Sequence, residues 1–219
     1  SQYIFGQMVQ CVLGVSDQVL EDLRRFYPMV ERQKLMTACP GVIVPTPNEP
    51  GRRNSDTIRL VFVGREWRRK GLLFAIGVLE SFIKQSGLSA SLDVYGPAVD
   101  SVPLSLLNNQ LIEIKGWSNS IPYDRYDVLL HPASKEPFGM VVAEARAHGV
   151  PVLASQRTGA ACLGWEGACF NSLDDDLSVW VESLQRLLAS KRSRRSEVIW
   201  TWQDLVKFHL TEVYPTVRL

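Results

Sequence analysis

From residue 58 onward, short runs that are apolar at nearly every position alternate with stretches of helical periodicity, and nothing else constrains this chain as much. Ile58–Val63, Ser91–Tyr95, Leu111–Lys115, Val128–His131, Pro151–Ala154 and Ala168–Asn171 each read as a strand. The stretches Lys70–Lys84, Gly139–His148 and Leu177–Leu188 read as helices, with Gly149 closing the second. A charged helix is expected from about Arg194 to Val213. Strands with no polar alternation have no solvated face, so the sheet they form must be covered on both sides. Strands separated by helices are parallel. The expected fold class is therefore α/β, a doubly wound parallel sheet, with the remnant of a second α/β domain in front of it.

The front differs in character. Pro45 to Asp56 carries three prolines, one glycine and no apolar periodicity, which marks a linker. Ahead of it lie an apolar run from Met8 to Val15, then Ser16 as a helix N-cap. A helix over Asp17–Phe26 follows, with Val19, Leu20 and Leu23 on one face, then Pro28 and a short strand within Lys34–Cys39. Two strands and a helix cannot bury a core, so this piece is expected to be the tail of a domain that begins outside the chain. The expected division is 1–45 for the tail, 46–57 for the linker, 58–190 for the sheet domain and 191–219 for the C-terminal helix.

Composition excludes several classes. Lysine plus arginine is 24 against 23 acidic residues, a net charge of +1, so no nucleic-acid partner is expected. No apolar stretch approaches the roughly 20 residues that span a bilayer. Ser1–Phe5 shows no basic region leading into an apolar one, and a cytoplasmic location, peripheral to the inner face of a membrane at most, is expected. Cys11, Cys39, Cys162 and Cys169 form no Cys-x-x-Cys pair and are expected to be buried free thiols.

A doubly wound sheet binds ligands at the carboxyl ends of its strands, where the strand order reverses. After the first strand, Gly64–Gly71 carries Arg65, Arg68, Arg69 and Lys70 just before a helix. Cations at a helix N-terminus oppose its macrodipole, and an anion between them, most simply a diphosphate, reconciles the two. A solvated basic turn explains the cluster as well. After the Val128–His131 strand, a loop carries Glu136, Gly139 opens a helix, and Glu144 projects from its first turns. Gly139 lets a ligand approach the backbone. Glu144 is placed to accept bonds from two vicinal hydroxyls, and Glu136 those of a second sugar ring. Carboxylates beside N–H donors suit a ligand that is part anion and part polyol.

These residues resemble the retaining glycosyltransferases of GT-B fold. The resemblance is carried by the Glu-x7-Glu spacing of Glu136 and Glu144 and by Gly149-Val150-Pro151-Val152 after it. Leu129-Leu130-His131-Pro132-Ala133 and Arg69-Lys70-Gly71 look like the bacterial lipopolysaccharide core glucosyltransferases. The resemblance implies that 58–190 is the donor-binding domain for a nucleotide-diphosphate sugar such as UDP-glucose, and that a hexose is transferred with retention. Arg65 and Lys70, with Arg69 as a third cation, would neutralise the diphosphate. Glu144 would hold the ribose and Glu136 the donor sugar. The N–H groups of Phe138, Gly139 and Met140 would face sugar and phosphate, and Gly116 and Trp117 the nucleobase. His131, at a strand end, is a candidate for lining the donor pocket. Such enzymes usually need no metal or other cofactor. The acceptor, a glycan or lipid-linked glycan, and any membrane contact would belong to the absent front domain, and this piece alone is expected to transfer little.

Asp174-Asp175-Asp176 could suggest a metal site, but acidic residues ahead of a helix at Leu177 are expected for helix-start reasons. His148 is expected to serve only the end of its helix, and Trp200 and Trp202 to pack. A binding module without catalysis, or a sugar-nucleotide epimerase on the same architecture, remains the alternative.

Overall fold

The computed structural model describes residues 9–45, 57–190 and 200–216. In chain order the strands and helices are β1 (Val12–Gly14), α1 (Asp17–Phe26), β2 (Leu35–Thr37), β3 (Ile58–Val63), α2 (Leu72–Ser86), β4 (Ala90–Tyr95), α3 (Leu104–Leu107) and β5 (Ile112–Gly116). They continue with β6 (Val128–His131), α4 (Met140–Ala147), β7 (Val152–Ser155), β8 (Ala168–Asn171), α5 (Leu177–Ala189) and α6 (Trp202–Phe208).

Six parallel strands form one sheet in the order β5-β4-β3-β6-β7-β8. The chain winds outward from β3 through β4 to β5, then returns to the far side of β3 with β6. The order reverses between β3 and β6, where Leu60 registers with Val128 and Val61 with Leu129. This is the doubly wound α/β sheet expected from the apolar runs. Residues alternate across it: Leu60, Phe62, Leu130 and Leu153 pack under α2 and α5, with Trp180 fully buried among them. Val61, Leu129, Val152 and Ala154 face the other side, against α4, Tyr123 and Tyr126. Both faces are therefore dry, the condition that made the strands read as apolar throughout.

Several boundaries move for local reasons. The helix expected from Lys70 begins at Leu72, because Gly71 takes the left-handed conformation (φ 81°) as its cap. The helix expected from Gly139 begins at Met140, with Gly139 left-handed (φ 96°) in front of it. Of the charged helix expected from about Arg194 to Val213, the part over 194–199 lies outside the described residues; Trp200 and Thr201 are not helical, and a helix begins after Thr201, fixed by a capping box in which Thr201 and Asp204 bond reciprocally. It continues beyond Phe208 as a π-turn over His209–Val213. Asp176 occupies the N-cap of α5 without a side-chain capping bond. Asp174 faces Arg157 at 3.4 Å, and Asp175 accepts from the Ser172 amide at 2.9 Å. Apart from Thr57, the expected linker lies outside the described residues.

The front segment forms a separate two-stranded parallel sheet of β1 and β2. Its helix α1 buries no residue fully, so Val19, Leu20 and Leu23 make a half-covered face rather than a core. The segment is nevertheless anchored to the larger sheet. Ser16 is fully buried: it caps α1 by accepting from Val19 N, and its hydroxyl donates to the Pro137 carbonyl at 2.6 Å. Lys135 pairs with Asp22 at 2.7 Å. Val42 pairs with Thr201, which brings the start of α6 back onto the front segment. The cysteines are all free thiols, but only Cys39 is buried as expected; Cys11 and Cys169 are half-buried and Cys162 is exposed. Among the described residues, no helix is long and apolar enough to cross a membrane.

Candidate functional site

At the switch point, the loop after β3 and the loop after β6 are laced together. Gly71 lies so close to the second loop that a Cβ there would stand 2.1 Å from the Pro132 carbonyl oxygen. The Ser134 amide and hydroxyl both bond the Arg69 carbonyl, at 2.9 and 3.0 Å. The Arg69 guanidinium bonds the Lys135 carbonyl. Glu136 is held along its backbone like a strand residue: its N–H donates to the Arg157 carbonyl, and its carbonyl accepts from Gly159 N–H at 2.9 Å. Its carboxylate, 12% exposed, forms an ion pair with Lys70, 14% exposed, and lies 3.6 Å from the Arg69 guanidinium. Two largely dehydrated charges are thus matched across two loops 66 residues apart.

Beside this pair opens a cavity of about 670 Å³, in the size range of small-molecule sites. Its floor is backbone. Gly64 leaves room for the Lys70 stem, and Gly96 lies against the Gly64 backbone, where a Cβ would come within 2.6 Å. Arg65 and Lys70 bring cations from one side, and Met140, Val141 and Glu144 face it from α4. Trp117, 69% exposed, begins a wall that runs to Tyr123. Val42, Ile43 and Trp202 close it from the front segment and α6. Glu144 accepts a hydrogen bond from the Tyr123 hydroxyl at 3.0 Å. Burial and the neighbouring carboxylate push the Tyr123 phenol far above its ordinary range, so it remains a donor.

Of the residues singled out from the sequence, Arg65, Lys70, Trp117, Met140 and Glu144 line this cavity. Glu136 adjoins it through Lys70. Gly116 ends β5 left-handed (φ 70°), its carbonyl accepting from Gly96 N–H at 2.8 Å, directly before the Trp117 wall. Gly139 packs against Glu136, where a Cβ would stand 3.3 Å from Glu136 Cγ. The Phe138 side chain is buried in the core under α4, so only its backbone adjoins the loop. Arg69 is diverted: it bonds Glu66 at 2.5 Å and the Lys135 carbonyl instead of entering the cavity. His131 is fully buried, with Nε2 at 3.9 Å from Glu136, and neither ring nitrogen finds a hydrogen-bond partner among the described residues. Burial, with Lys70 and Arg69 beside it, pushes its pKa down to about 3, so this imidazole is neutral.

Three residues of the cavity wall were not anticipated from the sequence. Tyr123 carries no motif; the rule that ligands gather after strand ends would have drawn attention to the whole stretch after β5. His148 does more than end α4, since it is exposed at the cavity and its ring lies 5.3 Å from that of Tyr123. Trp200 packs as expected, its ring 6.1 Å from Phe208, whereas Trp202 is 46% exposed and lines the cavity.

The doubly wound sheet brings a cation-bearing crossover and an acid-bearing helix to one cavity at its switch point, an arrangement whose chemistry suits an anionic, hydroxyl-rich ligand. Residues 57–190 match the family of glycosyl transferases group 1, and the chain belongs to that family. Over 105 residues it is 31% identical to an uncharacterized 41.2 kDa protein in the cps region of Klebsiella pneumoniae, covering 46% of this chain and 28% of that protein. Its fold is similar to that of WaaG, a glycosyltransferase involved in lipopolysaccharide biosynthesis (TM-score 0.68, 20% identity, 92% of this chain and 58% of that one). It is also similar to the lipopolysaccharide outer core galactosyltransferase WaaB (TM-score 0.72, 16% identity, 95% and 62%). A third similar structure is the pneumococcal O-GlcNAc transferase GtfA in complex with UDP and GlcNAc (TM-score 0.69, 18% identity, 95% and 46%). The sheet corresponds to the C-terminal domain of the GT-B glycosyltransferases. The chain thus spans less than two thirds of the length of each of these proteins.

Proposed function

We propose that this chain is the donor half of a retaining glycosyltransferase that takes a hexose from a nucleotide-diphosphate sugar for lipopolysaccharide or surface-polysaccharide assembly. The observation that carries the reading is the meeting of Arg65, Lys70 and Glu144 around one cavity at the switch point. Arg65 and Lys70 stabilise the diphosphate as charge grows on the leaving β-phosphate. An ammonium has three donors; Lys70 can therefore keep its bond to Glu136 while it meets a phosphate. Glu144 accepts the ribose hydroxyls. Glu136 holds hydroxyls of the donor sugar, with His131 as a neutral neighbour behind it. The amides of Phe138, Gly139 and Met140 face sugar and phosphate, Arg69 fixes the loop that carries Glu136, and Gly116 and Trp117 border the nucleobase.

On this reading the side-chain cations supply the charge stabilisation, and no metal cofactor is needed. The glycan or lipid-linked acceptor, and any membrane contact, are met by a domain in front of β1, so the present chain binds donor but transfers little. The test is a thermal-shift screen with UDP, GDP, ADP and their sugars. A ligand at about one hundred times its Kd should stabilise the chain by about 2.7 kcal/mol. Absence of any shift at millimolar nucleotide would refute the reading. With the front domain restored, NMR of the product should show the donor's anomeric configuration and a chelator should leave the rate unchanged.

A further inference from the structure

We propose that Tyr123 is a positioning residue for donor binding: its phenol holds the Glu144 carboxylate in the orientation that accepts the ribose hydroxyls. The inference rests on the reading of Glu144 given above and adds to it the group that makes that acid selective. Glu144 projects from α4 on a flexible side chain beside an open cavity, and left to itself it would sample several rotamers. Freezing such a side chain on binding has an entropic cost. The structure removes that freedom in advance, because the Tyr123 hydroxyl donates to Glu144 Oε2 at 3.0 Å.

Tyr123 is itself immobile. It is 3% exposed and begins a short 3-10 turn. Its amide donates to the Ile121 carbonyl at 2.8 Å, and its own carbonyl accepts from Tyr126 N–H at 3.0 Å. Its ring is backed by His148 at 5.3 Å. A phenol that stays protonated cannot exchange roles with the acid, so the polarity of the bond is fixed. A carboxylate offers about four lone-pair sites. With one taken by Tyr123, enough remain for two vicinal hydroxyls. A bond that fixes the carboxylate rotamer therefore also fixes where those hydroxyls must lie.

The test compares the 219-residue chain with Tyr123→Phe. Each is titrated calorimetrically with the diphosphate selected from UDP, GDP and ADP in the screen above, and with its 2′,3′-dideoxy analogue. The wild-type chain should bind the dideoxy nucleotide about tenfold more weakly or worse. Tyr123→Phe should lose about five- to tenfold in affinity for the ribonucleotide and stay within about twofold of wild type for the dideoxy form. A merely structural role would weaken both nucleotides alike, and that result, or unchanged ribonucleotide affinity, would overturn the inference. Glu144→Gln supplies the second variant: in its background Tyr123→Phe should have no further effect. A wild-type chain that binds neither nucleotide, or both equally, would instead refute the assignment of Glu144, and the inference with it.

Discussion

His131 offers the most exacting check on the physical picture of the site. It is fully buried between Lys70, Arg69 and Glu136, and its pKa is lowered from 6.5 to about 3. The unfolded chain therefore binds a proton below about pH 6.5 that the folded chain refuses until about pH 3. For a base whose folded pKa is depressed, stability is complete above the unfolded pKa and is lost as pH falls toward the folded one. At about pH 5 the unfolded imidazole sits about 1.5 units below its pKa, a loss of about 2 kcal/mol at about 1.4 kcal/mol per unit. That figure does not depend on where below about pH 4 the folded value lies. Replacing His131 with Leu, of similar volume, removes the titration and the two orphaned ring nitrogens together.

Urea unfolding of both proteins, followed by tryptophan fluorescence, to which the buried Trp67, Trp165 and Trp180 contribute, gives the comparison. Between about pH 7.5 and about pH 5 the wild type should lose about 2 kcal/mol more than His131→Leu, with equal m-values. Other titrating groups are common to both and cancel. Losses equal within about 0.5 kcal/mol would show that the imidazole is not held neutral in the folded chain, and the description of this corner of the site would fall.

Ser16→Ala removes a helix cap and a buried bond to Pro137 together, so a loss of about 2 kcal/mol is expected from chemical denaturation at unchanged m-value. Gly71→Ala forces a Cβ against the Pro132 carbonyl at 2.1 Å in a left-handed conformation. It should cost about 3 kcal/mol or more. By parting the loops that hold Lys70 on Glu136 it should also weaken nucleotide binding, both read in one thermal-shift series with and without ligand.

Much of this molecule is legible before folding is considered. Apolar runs such as Val128–His131 are buried at every position, and a strand buried on both faces has no other way to appear in a sequence. The local signals at Ser16 and Gly149 are likewise self-contained, because a cap is decided by its own neighbours. The spacing of Glu136 and Glu144 around Gly139 placed one acid in a loop and one on a helix, which is where they lie. Charge suggested one helix running through Trp200 and Thr201, where the Thr201–Asp204 capping box instead starts α6.

What the sequence could determine by itself was the alternation of elements, hence the sheet and the end of it where a ligand would sit. Which cations enter the cavity was decided only by tertiary contact. Arg69 and Lys70 are neighbours in sequence, yet one is drawn to Lys135 and Glu66 and the other stands over Gly64 at the cavity. The reach of Tyr123 to Glu144, the return of Thr201 against Val42, and the sealing of His131 belong to the same class. The reason is range: periodicity and capping record interactions along a few residues, whereas the direction of a loop side chain is set by partners tens of residues away, which the chain meets only once the sheet has formed.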